Sequence, residues 1–371
     1  MNNEYQKSGV DYSLMEPFKM AMVEAGKKTL AFPNKRGVYV VEGTSHAHGA
    51  VFEYRGDGNP IWCKTQEDLG TKNWIAEWMY AYGRAEGEKV RRTYYDWIAQ
   101  DVALIVVNDV IAQGAMPVIF TDQVEVGDAS WFGDKKRAQD FADGFVKICE
   151  EVGMALPAGE SATLKYIIKP EAPSLSGSVT GIINPRSRLI VNKIKEGDHI
   201  IAVASSGLHA NGVSLVIKKG LELPEQFLTK LPSGKSLGEA ALTPTLSYVA
   251  LIEQLLEAEV DIHALLPGTG DGVGKLAFDK RPFTYRVHSW PEVPEFFKYF
   301  NEQLGIPLTE CLKAFNWGVG YYIFVPKDAV NRVLDIGAQI GYNVMDIGLV
   351  ESGDRQTVFL NDIILKPPGE Y

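Results

Sequence analysis

The sequence predicts an α/β (α+β) fold in two domains. Short strands rich in Val and Ile alternate with amphipathic helices along the chain. A charged stretch, NPRSRLIVNKIKEGD (184–198), interrupts that alternation, and at His199 a strand, a glycine-bearing loop and a helix begin afresh. The length of 371 residues gives each half enough chain for its own core. We therefore divide the chain into domains 1–188 and 189–371.

In chain order, YQKSGVD (5–11) precedes a helical pattern, LMEPFKMAMVEAGKKTL, and then a strand, GVYVVEG (37–43). Residues 44–62 have the turn chemistry of an exposed hairpin or inserted loop, with Gly-Asp-Gly-Asn-Pro at 56–60. His46 and His48 would share one face there, without a further metal ligand nearby in sequence. QEDLGTKNW (66–74) suits a turn presenting a cation and backbone N–H groups to an anion; a solvated loop is the other reading. Residues 75–100 read as helical, with Lys89, Arg91 and Arg92 as a solvated basic face.

The central stretch is VVNDVIAQGAMPVIFTD (106–122). A buried helix starting near Trp97 should end at Gly114, where a C-terminal cap tolerates positive φ. Pro117 prevents its continuation, VIF (118–120) forms a short strand, and Asp122 closes it. Asp101 lies about 80° around the helix from Asp109 and about 12 Å along it. Together with Asn108 these acids sit against apolar backing, where a magnesium ion bridging to phosphates would neutralise them. Helix-surface acids capped by local donors are the alternative. KRAQDFADGFVKICEEVGM (136–154) is an amphipathic helix, Gly159–Glu160–Ser161 follow a short apolar strand, and SLSGSVTGIIN (174–184) is another strand.

In the second half, ASSGLHANGVSL (204–215) turns the chain from a buried strand into a helix whose N–H groups suit an anion. His209 sits at its mouth and Asn211 beside it; an exposed histidine on a plain turn is the competing reading. Helices follow at 246–260, 293–304 and 329–341, with strands at 285–290, 343–352 and 357–365. PGTGDGVGK (267–275) fails as a phosphate-binding P-loop: Thr269 replaces a glycine, and Leu276 follows Lys275 where Ser or Thr should stand. A nest of backbone amides remains open to it. FNWGVGYYI (315–323) leads into a strand through Gly318 and Gly320.

The formal charge of −10 argues against a nucleic-acid partner. Three cysteines, far apart and without a CxxC pair, suggest neither a disulfide framework nor a zinc ribbon. No apolar run reaches the ~18 residues of a membrane span and the N-terminus has no apolar signal core, so no membrane role and a cytoplasmic location are expected.

Taken together, these motifs resemble the aminoimidazole ribonucleotide synthetase (phosphoribosylformylglycinamidine cyclo-ligase) family over nearly the whole chain. YQKSGVD, EDLGTK (67–72), QDVALIVVNDVIAQGAMPVIFTD (100–122), GES (159–161), SSGLHANGVSL, LTPTLSYV (242–249) and FNWGVGYYI carry the resemblance, in the family's order. It implies an N-terminal ATP-binding domain whose small sheet pairs across a homodimer into a β-barrel, and a larger C-terminal α+β domain. It implies ATP and Mg2+ as cofactors and formylglycinamidine ribonucleotide as substrate. The formyl amide oxygen would be phosphorylated and the amidine nitrogen would then close the imidazole ring. Carried over to this chain, Glu67, Gly70, Thr71, Lys72, Asp101, Asn108, Asp109 and Glu160 fall on the nucleotide side, with Asp101, Asp109 and Glu160 toward metal. Lys72, His209 and Asn211 fall in catalytic roles, Lys72 offsetting phosphoryl charge.

The sequence departs from the pattern at several loops. Glu67 and Asp68 stand where aspartate and glycine are usual; AGESATLKY has lost an acid; Pro267 replaces histidine and Asp271 a glycine; the 44–62 loop is long. Two further readings stay open: another ATP-dependent superfamily member of the small-molecule kinase type, and a non-catalytic dimeric paralogue that binds nucleotide.

Overall fold

The computed structural model describes residues 9–41, 43–44, 49–83, 91–367 and 369–370. His46, His48 and Lys89, along with most of YQKSGVD, lie outside them. In chain order the elements are α1 (Tyr12–Thr29), β1 (Val38–Val40), β2 (Phe52–Tyr54), β3 (Ile61–Asp68), α2 (Lys72–Tyr82), α3 (Tyr95–Val110), β4 (Met116–Val126), α4 (Lys135–Val152), β5 (Ala155–Thr163) and β6 (Ser174–Ile183). The second half adds β7 (His199–Ala204), α5 (Val213–Glu222), α6 (Leu237–Ala241), α7 (Val249–Glu257), β8 (Ala264–Pro267), β9 (Phe283–Val287), α8 (Glu295–Lys298), α9 (Leu308–Ala314), β10 (Val319–Val325), α10 (Val330–Gln339), β11 (Val344–Ser352), β12 (Gln356–Phe359) and β13 (Ile363–Leu365).

The mixed α/β class is as expected. One sheet has four strands in the order β3-β6-β4-β5; the other has seven, β13-β12-β9-β11-β7-β10-β8. In the small sheet only β4 and β5 run parallel. β1 and β2 form a separate antiparallel ribbon, so Phe52–Tyr54 of the 44–62 segment pairs with a strand that precedes the segment, rather than within it. No helix among the described residues is long and apolar enough to cross a membrane.

Helix α3 is the spine. It is apolar on nearly every face, and Ile98, Val102, Ala103, Val106 and Val107 are all buried. Such a helix is stable only between layers, because each buried Val, Leu or Ile contributes about 1.5–3 kcal/mol and no face is left for water. It ends as expected: a 3-10 turn over Ile111–Gln113 leads to Gly114 at φ 78°. A Cβ there would lie 2.0 Å from the Arg188 carbonyl oxygen, so glycine is required twice over.

Three expectations change. β4 runs from Met116 to Val126, so Asp122 is mid-strand; the register shifts between Pro117 and Ile119, which accommodates the proline's missing N–H. Gly159–Glu160–Ser161 lie inside β5 rather than after a strand. Helix does not continue over 75–100: α2 stops at Tyr82, and α3 starts after Tyr94 at φ 62°, so Arg91 and Arg92 are not on a helix.

The two sheets are fastened across α3. Arg36 donates to the carbonyls of Pro117, Val152 and Gly153 and pairs with Glu253 of α7 at 3.0 Å. Tyr321 of β10 donates its hydroxyl to the Asn108 carbonyl at 3.1 Å.

Candidate active-site cleft

The C-terminal part of α3, the β3–α2 turn and the loops 204–212, 243–248 and 267–275 come together through the contacts of Lys72, Asp101, Asn108 and Asn211. Across the small sheet, Glu67 pairs in register with Gly177, and Gly177 with Asp122. A Cβ on Gly177 would come within 3.0 Å of the Val102 carbonyl, so this row lies directly beneath α3. Glycine therefore lets the helix approach while Glu67 and Asp122 flank it.

Asp101 and Lys72 form an ion pair at 2.7 Å, and both side chains are fully buried. Asp101 also accepts from the Thr245 N–H at 2.8 Å and the Thr245 hydroxyl at 2.6 Å. Lys72 donates to the Thr243 carbonyl at 2.9 Å. Burial pulls the lysine's pKa down and pushes the aspartate's up, and each opposes the other's shift. Asn108 is similarly occupied: its amide donates to the Leu246 carbonyl at 3.0 Å and accepts from the Tyr248 N–H at 3.2 Å. Asp101, Lys72 and Asn108 thus clamp the 243–248 segment onto α3.

Asp109 is different. It is partly exposed, and burial raises its pKa to about 6, countered by Lys275 and reinforced by Glu67. Lys275 interacts electrostatically with Asp109, Asp271 and Glu67, and burial still lowers its pKa. It donates to the carbonyl and, at 2.9 Å, the hydroxyl of Thr269. The loop that carries it holds Gly270, Asp271 and Gly272 at φ 59°, 55° and 57°. A Cβ on Gly272 would meet the Leu312 carbonyl at 2.1 Å, and one on Gly270 would stand 3.9 Å from Asn211 Oδ1. The 204–212 and 267–275 loops therefore meet at Asn211.

His209 is not at an open mouth. It is 2% exposed at φ 58°, with Nε2 lacking a hydrogen-bond partner. Gly320 makes its place: a Cβ there would lie 2.5 Å from His209 Cε1 and 1.9 Å from the Tyr248 hydroxyl. Burial, with Lys72 nearby, lowers the imidazole's pKa to about 3, so the ring is neutral. Asn316 secures the loop, donating to the Gly207 carbonyl at 2.9 Å and accepting from the Gly318 N–H at 2.9 Å. Gly70 and Thr71 form an exposed turn, with the Gly70 N–H bonded to Asp68 at 2.6 Å.

Glu160 lies apart, beside a cavity of about 180 Å³ lined also by Lys19, Leu156, Ser161 and Asp122. Asp122 is buried there, its pKa raised to about 7 by burial and by Glu160. The set Asp101, Asp109 and Glu160 is therefore not brought together around one point. No group of three or more His, Cys, Asp or Glu among the described residues is placed to hold an ion. The sequence reading missed Lys275 and Asp122 as partners of the acids. An internal lysine in the apolar run VGKLAF was the available signal for the first.

The two halves match AIR synthase related proteins: the N-terminal domain over 86–183 and the C-terminal domain over 195–361. A phosphoribosylformylglycinamidine cyclo-ligase from Fusobacterium nucleatum is 30% identical, covering 96% of this chain and 98% of its own. One from Methanobrevibacter smithii is 29% identical, with 95% and 96% covered. The chain belongs to the phosphoribosylformylglycinamidine cyclo-ligase family, a family of enzymes. In fold it is similar to thiamine-monophosphate kinase from Stenotrophomonas maltophilia (TM-score 0.62, 17% identity, 90% and 94% covered). It is likewise similar to the hydrogenase maturation protein HypE in complex with ATP (TM-score 0.59, 15% identity, 86% and 88% covered).

Proposed function

We propose that this enzyme closes the imidazole ring of aminoimidazole ribonucleotide from formylglycinamidine ribonucleotide in de novo purine biosynthesis, consuming ATP with Mg2+ and releasing ADP and phosphate. The observation that carries the reading is the meeting of the SSGLHANG and PGTGDGVGK loops beside Asp109 on α3, in a chain of this family. Bound Mg2+·ATP supplies the phosphoryl group and the charge neutralisation its transfer needs. A magnesium ion that arrives with phosphates and keeps several waters needs only one or two protein carboxylates. Asp109 and Glu67 fit that demand; Asp101 does not, because Lys72 and Thr245 already use it.

The roles then divide. Lys72, Asp101 and Asn108 position α3 against the 243–248 segment. His209, neutral and with Nε2 unpartnered, offers the ribonucleotide a hydrogen bond rather than a charge. Asn211 orients the substrate where the two loops meet. The exposed turn at Gly70 and Thr71, its Gly70 N–H taken by Asp68, borders the phosphate side, and Glu160 supports the nucleotide side from the edge of the small sheet. We take the domain boundary at 188/189 and the working form as a cytoplasmic homodimer joined through the four-stranded sheets.

The test is coupled measurement of ADP and aminoimidazole ribonucleotide from formylglycinamidine ribonucleotide with ATP and magnesium. Equal formation of both supports the cyclo-ligase. ADP release without ring closure would mean another acceptor, and no phosphate release a non-catalytic paralogue.

A further inference from the structure

His209 owes its direction to the backbone that carries it. Among the described residues nothing hydrogen-bonds its buried Nε2. Tyr248 and Gly320 only bound the ring: its centroid lies 6.2 Å from that of Tyr248, and Gly320 leaves room beside Cε1. A histidine at φ 58° stays there only where its surroundings determine it. Residues 314–320 are those surroundings. At one end of the 204–212 loop, a Cβ on Gly212 would come within 2.6 Å of the Phe315 ring and 2.7 Å of the Ala314 carbonyl oxygen. At the other end, the Ser205 N–H donates to the Gly318 carbonyl at 2.9 Å. In between, Asn316 uses both ends of its amide. Nδ2 donates to the carbonyls of Gly207 at 2.9 Å and Leu208 at 3.3 Å, the two residues before His209. Oδ1 accepts from the Gly318 N–H at 2.9 Å and the Ser205 hydroxyl at 3.3 Å. Asn316 is buried, so water does not compete for these bonds. The next residue, Trp317, is itself left-handed at φ 51°, a costly state for so bulky a side chain. One amide thus ties together two strained turns that lie 109 residues apart in sequence.

We propose that Asn316 is a positioning residue for the ribonucleotide, which acts by holding the 205–208 backbone that aims His209. The inference rests on the proposed placing of His209 at the ribonucleotide. Aspartate in place of Asn316 keeps the shape and the acceptor for the Gly318 N–H. It also turns a carboxylate oxygen toward two carbonyl oxygens, which repel it. The turn then opens and His209 loses its aim, while Lys72, Asp101 and Asn108 keep their own partners on the nucleotide side. A bond that only held the fold together would act on stability and on both substrates alike. A positioning bond acts on kcat/KM for the ribonucleotide, and only while His209 is there to be aimed.

The experiment is a double-mutant cycle on the full chain, with formylglycinamidine ribonucleotide varied at saturating ATP and magnesium. Asn316→Asp is expected to lower kcat/KM for the ribonucleotide by about tenfold and to leave the ATP Kd, read by calorimetry, unchanged. In a His209→Gln background the same substitution should cost no more than about twofold further. Ser205→Ala, which removes only a hydroxyl from the same knot, reads the same coupling should Asn316→Asp fail to fold; its loss of about threefold should likewise vanish in the His209→Gln background. Losses that multiply in the double variant overturn the inference, as does a folded Asn316→Asp with wild-type kcat/KM or with weakened ATP binding. His209→Gln alone separates the two ideas. If it lowers kcat/KM while the Asn316 loss multiplies with it, the positioning role fails and the placing of His209 stands. If His209→Gln keeps wild-type kcat/KM, the placing of His209 fails, and the inference with it.

Discussion

Asp101 and Asp109 lie two turns apart on one helix, and their surroundings could hardly differ more. Asp101 has a lysine, a backbone N–H and a hydroxyl, all within hydrogen-bonding distance, and no contact with water. Asp109 is partly open; burial raises its pKa, Lys275 counters that rise and Glu67 adds to it. A carboxylate whose partners are all supplied by the fold serves the fold. One that the fold leaves short of partners is available to a ligand. Residue type and helix face alone do not separate the two cases; the count of partners does.

The largest effect expected from this contrast is on stability. Lys72→Met leaves Asp101 buried without its cation and should cost about 3–5 kcal/mol, read as a lowered urea midpoint at unchanged slope. A variant as stable as wild type would break the comparison at its first term. Asp109→Asn is expected to do the reverse, leaving the melting temperature almost unmoved while lowering kcat by roughly a hundredfold or more, if Asp109 acts on the transferring phosphoryl group. Full turnover under saturating ATP and magnesium would remove Asp109 from the chemistry.

Asp122 sharpens the comparison through pH. Its folded pKa is raised to about 7, above that of a free carboxylate, so charging it opposes folding. The protein should lose stability from this group as pH rises from the ordinary aspartate range through about 7. Asp122→Asn should be the more stable form in alkali, by about 4 kcal/mol, with the difference vanishing in acid. Equal pH dependence in both proteins would mean that Asp122 finds a partner. The smallest effect expected is at His209. His209→Gln should lower kcat/KM for the ribonucleotide by roughly tenfold, the worth of about one hydrogen bond, and leave the ATP Kd unchanged. A loss of ATP affinity alone would move His209 to the nucleotide side.

Much of this was legible from local patterns. The period of α3 and the Gly114–Pro117 pair mark its end, because caps and prolines act within a few residues. The SSGLHANG and FNWGVG motifs could be placed on a loop and a strand start, although not seen to be joined through Asn316. What escaped was partnership over distance. Lys72 and Asp101 are 29 residues apart, and Asp109 and Lys275 are 166 apart, so spacing says nothing of either pair. The polar alternation of Asp122–Gln123–Glu125 also concealed that β4 continues, since a strand with one covered face can carry a buried acid beside a glycine.

The fastening of α3 bears on how the chain acquires its shape. Bonds from this helix and from Arg36 reach partners 138, 144, 213 and 217 residues further along. Contacts of such separation close late, after the entropy of the intervening loop has been given up. As the ribosome releases the first half, Asp101 and Asn108 have Lys72 at most for company. The segment that completes them is still unmade. The first half is thus expected to wait, incompletely ordered, for the second, and the finished protein to melt in one calorimetric transition rather than two.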